Sequence, residues 1–176
     1  MKLHLGCGKR NFGDEWHHID CVDHPHVISN DVTNLPYDDN TCDLIYASHL
    51  LEYFDRREAV DVLGEWHRVL KEGGVLRLAV PNFNTLALLY STERIGLSQV
   101  LGPLYGKLND PPIYHKTTYD FASLKNLLFH CGFESVATYD WRQTEHSHHD
   151  DQSQAYIPHM DKENGVLISL NVEAIK

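Results

Sequence analysis

The feature that most constrains this chain is a short run in which Leu3 and Leu5 flank His4 and which stops on Gly6-Cys7-Gly8. Two glycines directly after a strand let the backbone turn tightly and approach a ligand closely, because no side chain stands in the way. Three more strand-like runs follow in the first fifty residues. One closes at Ile19-Asp20 and one covers His26 to Ser29. The third, Cys42 to Ala47, is a nearly continuous apolar run of the kind buried on both faces. Leu35 to Asn40 carries turn residues between the last two.

From Arg56 to Lys71 the spacing of Ala59, Val62, Leu63, Trp66, Val69 and Leu70 predicts a helix, with Gly73-Gly74 as its stop. Val75 to Val80 reads as a strand ended by Pro81, and Thr85 to Tyr90 as helical. The stretch carrying Gly102, Pro103, Gly106, Pro111 and Pro112 reads as irregular. Asp120 caps a further helix, whose apolar face is Phe121, Leu124, Leu127 and Leu128 and whose end is Gly132. Two late strands, Glu134 to Tyr139 and Val166 to Val172, flank a polar excursion rich in histidine and aspartate. Strands alternating with helices predict an α/β chain with a doubly wound, mostly parallel sheet and helices on both faces. Ligands in such sheets bind beyond the carboxyl ends of the strands, where strand order reverses.

The length of 176 residues fits a single domain. Acidic residues outnumber basic ones 25 to 15, for a formal charge of -10. Nucleic acid binding draws most of its affinity from phosphate neutralisation, so the charge disfavours a nucleic acid acceptor and favours an uncharged or weakly charged one. Cys7, Cys21, Cys42 and Cys131 lack CxxC spacing and read as reduced thiols, which points to a cytoplasmic protein. Neither a signal peptide nor a membrane-length apolar run is expected.

Asp20, at a strand end 12 residues after Gly8, is placed to accept hydrogen bonds from a ribose diol, or else to cap a loop. Asp31 is placed to accept from an adenine amine, or to make an Asx turn before Val32-Thr33. Asn11 stands where a third glycine of GxGxxG would be, which counts against a nicotinamide dinucleotide.

Taken in order, LHLGCG, the ID pair, NDVTNLPYDDNTCDLIYASHLLEY and EWHRVLKEGGVLRLAVPN resemble the motifs of class I S-adenosylmethionine (SAM)-dependent methyltransferases. The likeness runs from Leu3 to Asn82 and continues more loosely from Asp120 to Phe133. It implies a Rossmann-like fold with an antiparallel C-terminal strand, a cofactor half over about 1–82 and an acceptor-side half over about 83–176. It also implies that Gly6, Cys7 and Gly8 line the methionine end of SAM, that Asp20 holds the ribose hydroxyls, that Asp31 and Val32 contact adenine, and that Ser48 lies on the cofactor. His4 stands where the family usually has an acid. The compact LGCG-to-ID spacing around Trp16 resembles a branch associated with glycan methylation, which implies a glycan or small-molecule acceptor.

On the acceptor side, a base of near-neutral pKa is wanted for a hydroxyl, and histidine qualifies. His49, directly after the fourth strand, is the first candidate for the base or for positioning the acceptor, with Glu52 one turn later either to orient it or, as the resemblance also implies, as a simply structural glutamate. Its other reading is a histidine bonded to a loop carbonyl. His115 is the second candidate, in the segment expected to cover the acceptor pocket. The cluster His146, His148, His149, Asp150 and Asp151 reads as a polar loop rather than a metal site. Trp141, Tyr156 and His159 offer flat faces for a sugar ring, or else simple packing.

Overall fold

The computed structural model describes residues 1–106 and 113–176. Pro111 and Pro112, read above as part of an irregular stretch, lie outside the described residues. Among the described residues the strands are β1 (Lys2–Leu5), β2 (Trp16–Ile19), β3 (Val27–Ser29), β4 (Cys42–Ser48), β5 (Leu70–Pro81), β6 (Ser135–Thr138), β7 (Tyr156–Ile157), β8 (Val166–Leu167) and β9 (Ser169–Ile175). The α-helices among them are α1 (Glu58–Val69), α2 (Phe83–Ser91), α3 (Leu97–Tyr105) and α4 (Phe121–His130).

Seven strands form one sheet in the order β3-β2-β1-β4-β5-β9-β6. β1 to β5 run parallel, and β9 runs antiparallel to both β5 and β6. The sheet is the Rossmann-like, mostly parallel arrangement with an antiparallel C-terminal strand that the motifs imply. Strand order reverses between β1 and β4, so a ligand crevice belongs beyond their carboxyl ends.

In-register pairing fixes which residues share a face. Leu3, Ile45, Leu76 and Ala174 lie in one row, and Leu5, Ala47, Leu78 and Val172 in the next. This face packs against the apolar stripe of α1, centred on Leu63 and Trp66, and against Leu124 and Leu128 of α4. Asp120 caps α4 by accepting from Ser123 N at 2.7 Å, satisfying a backbone donor that the first helical turn leaves free.

The opposite face carries a polar row: His18, His4, Tyr46, Arg77 and Glu173. Its cover is not a long helix but the segment from Trp141 to Gln154, with two single 3-10 turns. The ten residues between β1 and β2 hold no helix either, being about the shortest crossover that joins parallel strands. Phe12 from that crossover lies flat on His4, with ring centroids 4.0 Å apart.

Three element expectations change. The predicted helix over Arg56 to Lys71 ends at Val69, because Leu70 already turns to an extended ψ of 141°. Gly73 and Gly74 are therefore not its stop. They form an irregularity within β5, where a Cβ on Gly74 would lie 2.8 Å from the Lys71 carbonyl. Leu97–Tyr105 is helical although Gly102 and Pro103 suggested otherwise; Pro103 falls near its end, and Val100 anchors it in a small cluster with Leu86, Leu89 and Ile168. The strand read over Val166 to Val172 is two, with Ile168 between a short hairpin strand and β9. Among the described residues, no helix is long and apolar enough to cross a membrane.

Candidate functional site

The crevice is built from strand ends. Gly6 and Gly8 follow β1 with φ of +66° and +55°, a region that side chains disfavour. A Cβ on Gly6 would also meet the Leu50 side chain at 3.1 Å, so the turn stays bare of side chains at its closest approach to the β4 loop. Cys7 between them is fully buried, and burial pushes its thiol up to about 12, so it presents backbone rather than a nucleophile.

Asp20, just past β2, is buried and tied to this turn. Its Oδ2 accepts from Gly8 N at 2.7 Å and its Oδ1 from Val22 N at 2.9 Å. Each oxygen keeps a further lone pair. Asp31 is exposed, and its Oδ1 accepts from Thr33 N and Thr33 Oγ1, an Asx turn whose hydroxyl bond holds the carboxyl below its ordinary range. Val32 is held inward by its carbonyl, which accepts from Trp66 Nε1 at 2.8 Å. The expected cofactor residues thus sit at the ends of β1, β2 and β3. Ser48, at the end of β4, joins them with a buried hydroxyl that has no partner in the protein, and such a group is costly unless something else satisfies it.

His49 is bent back at φ +51°, its backbone N–H donating to Ala79 O. The ring is 15% exposed, with Nε2 3.2 Å from Ser169 Oγ and Nδ1 3.3 Å from Glu52 Oε1. Burial, reinforced by the nearby charges of His115 and Arg10, lowers its pKa to about 3. Glu52 is fully buried with neither oxygen hydrogen-bonded, the approach to His49 being out of alignment, and burial pushes it up to about 8. It is a neutral acid at pH 7. Its main-chain carbonyl accepts from Lys116 N and Thr117 N, which docks the 113–119 segment over the β4 end. His115 in that segment is half-buried, with Nδ1 3.0 Å from Pro103 O. Since a carbonyl only accepts, Nδ1 carries the proton and Nε2 keeps its lone pair. Burial lowers this histidine too.

The structure therefore gathers Gly6, Cys7, Gly8, Asp20, Ser48 and His49 at neighbouring strand ends and brings His115 close enough to His49 for its charge to be felt there. It does not gather the sugar-binding surface expected at Trp141. That ring is buried, with Arg142 over it at 4.7 Å and Lys162 at 5.1 Å, and its Nε1 donates to the hydroxyl of the buried Tyr156. His159 is exposed but outside any such stack. The histidine and aspartate cluster belongs to the polar face instead. His146 packs on Tyr46, His149 on Phe12, and Asp151 accepts from Tyr46 Oη at 2.6 Å. His4 is buried under Phe12, on the same face. Sequence reasoning missed Ser169, which reaches His49 from β9, and Asn171, which holds Ser169; with Ser169 lying 120 positions from its partner, no local signal points to them.

Residues 7–78 match a family model described as a methyltransferase domain. Demethylmenaquinone methyltransferases from two strains of Staphylococcus epidermidis are 28% identical over 120 residues, which is 62% of this chain and 48% of theirs. The chain thus spans about half the length of these curated relatives. Among solved structures, a SAM-dependent methyltransferase from Archaeoglobus fulgidus aligns with a TM-score of 0.61 at 15% identity, over 99% of this chain and 85% of that one. One from Methanosarcina mazei aligns with a TM-score of 0.60 at 16% identity, over 99% and 91%.

Proposed function

We infer that this chain, matching a methyltransferase domain over residues 7–78, is a SAM-dependent methyltransferase acting on a small, uncharged acceptor. The observation that carries the reading is Asp20: two backbone N–H groups fix its carboxylate at the β2 end, with a lone pair left on each oxygen for a ribose diol. The residues present fit the cofactor, since the Gly6–Gly8 turn offers bare backbone for its methionine part and the unpartnered Ser48 hydroxyl lacks only a polar ligand. Asp31 and Val32 would lie along the adenine, in the cofactor half of the chain.

Bound SAM supplies an electrophilic methyl on a sulfonium, so the protein has only to align the acceptor and take its proton. A hydroxyl acceptor would have to give up its proton to a base as it took the methyl. His115 suits that role, because Pro103 fixes the tautomer that leaves Nε2 with its lone pair. His49, lowered to about 3 and bonded at Nε2 to Ser169, suits positioning rather than proton removal.

For the acceptor, the exposed apolar side chains of Phe83, Tyr90, Leu97, Tyr105 and Tyr114 on the acceptor-side half support a molecule with apolar surface. The Staphylococcus epidermidis relatives are named for demethylmenaquinone, which agrees with that character. A glycan hydroxyl, the finer reading of the motif spacing, loses the support of Trp141 and becomes one arm of the acceptor panel.

Calorimetry should detect binding of SAM and S-adenosylhomocysteine but not NAD. Asp20→Ala should weaken SAM by about 1.5 to 3 kcal/mol, the scale of a charge-assisted hydrogen bond. Saturable NAD binding without a response to SAM would overturn the reading. With radiolabelled methyl and a panel of phenols, quinols and glycans, His115→Ala should lower turnover about 100- to 10,000-fold, as loss of a general base does. A larger loss in His49→Ala would reverse the two roles.

A further inference from the structure

We propose that Ser169 and Asn171 of β9 are positioning residues that lock His49 as the neutral tautomer protonated at Nε2. This rests on the reading that the β4 end is the reaction site. The donors and acceptors leave one solution. Asn171 Nδ2 donates to Ser153 O at 2.9 Å, and a carbonyl can only accept, so Oδ1 is the atom facing Ser169. That oxygen can only accept, so the single Ser169 hydroxyl proton is spent on it, at 2.9 Å. Toward His49 the Ser169 oxygen therefore accepts, and His49 Nε2, 3.2 Å away, carries the hydrogen.

The consequence falls on the other ring nitrogen. Nδ1 holds its lone pair toward Glu52 Oε1, 3.3 Å away. Glu52 flanks that nitrogen without hydrogen-bonding it, so Ser169 and Asn171 make the lock. The nearby charges of Arg10 and His115 also oppose a positive charge on the ring. His49 becomes a fixed neutral surface, which lets the neighbouring His115 titrate without competition. Both clamping side chains, Ser169 and Asn171, are buried and lie far from His49 in sequence.

The test is nitrogen-15 NMR of the full chain with labelled histidine, the His49 signals assigned by their loss in His49→Asn. The expected spectrum shows an Nε2-protonated neutral ring that does not titrate between pH 5 and 8. Ser169→Ala should mix the tautomers and lower turnover about three- to tenfold, the scale of one hydrogen bond. Ser169→Thr, which keeps the hydroxyl, should restore both. An Nδ1-protonated ring in the unaltered protein overturns the proposal without requiring any variant to fold, as does a tautomer unchanged in Ser169→Ala. If the tautomer is as expected but calorimetry finds no SAM binding, the lock stands and the methyltransferase reading falls.

Discussion

The two faces of the sheet are buried by different chemistry. One is an apolar layer in which Leu3, Ile45 and Leu76 meet the stripes of α1 and α4. The other is a row of His18, His4, Tyr46, Arg77 and Glu173 under a loop cover, where Tyr46 and Arg77 find their partners far along the chain. Arg77 pairs with Glu145 and Glu173, and Arg10 Nε donates to Asp150 O. The helical face gains from burial of almost any well-fitting apolar side chain. The polar face holds only while its partners keep their protonation states.

The largest expected effect separates the faces by pH. Burial lowers His18 to about 4, helped by the charges of His26 and His17, and lowers His146 to about 4, helped by Arg77. His4 is likewise lowered by burial. These rings take up protons more readily unfolded, so their stabilisation is complete above 6.5 and is lost as pH falls toward 4. Each of His18 and His146 should contribute about 3 kcal/mol to that loss. Urea midpoints measured from pH 7 to 4 should fall steeply, and a flat profile would mean that this layer is solvated.

On the helical face Trp66→Ala removes a fully buried indole and its bond to Val32, at a cost of about 3 to 5 kcal/mol that should not depend on pH. A smaller loss at pH 7 than at pH 5 would show the two faces to be coupled. Glu52, beside Tyr119 of the same side, shifts in the opposite sense to the histidines. Its folded pKa is raised to about 8, so the stability it contributes is present below 4.5 and lost as pH rises toward 8. Glu52→Gln should therefore flatten the decline on the alkaline side while leaving the acid side unchanged. The smallest effect is Tyr46→Phe on the polar face, expected to cost about 1 to 3 kcal/mol by leaving Asp151 without its donor. No change in the urea midpoint would mean that water replaces the hydroxyl.

The strand-end placement of Gly6, Gly8 and Asp20, the residues proposed to hold the cofactor, was legible in the sequence, because it follows from local geometry. The arrangement proposed to serve the acceptor was not. His49 and His115 could be named from their places after β4 and before α4, but nothing local says which nitrogen of either ring carries a proton. Trp141 read as an open aromatic face because its sequence is silent on Lys162, which covers it from 21 residues away.

The sequence by itself determined the strands and helices of the first ninety or so residues, the apolar face and the glycine turn, since periodicity and backbone permissiveness are properties of neighbouring residues. Tertiary structure decided which polar groups are satisfied. The partners Tyr46 and Asp151 lie 105 residues apart, and His49 and Ser169 lie 120 apart. Burial, protonation and tautomer depend on what packing places within a few ångströms, and in a low-dielectric interior those neighbours fix whether a histidine is a base, a clamp or part of the core.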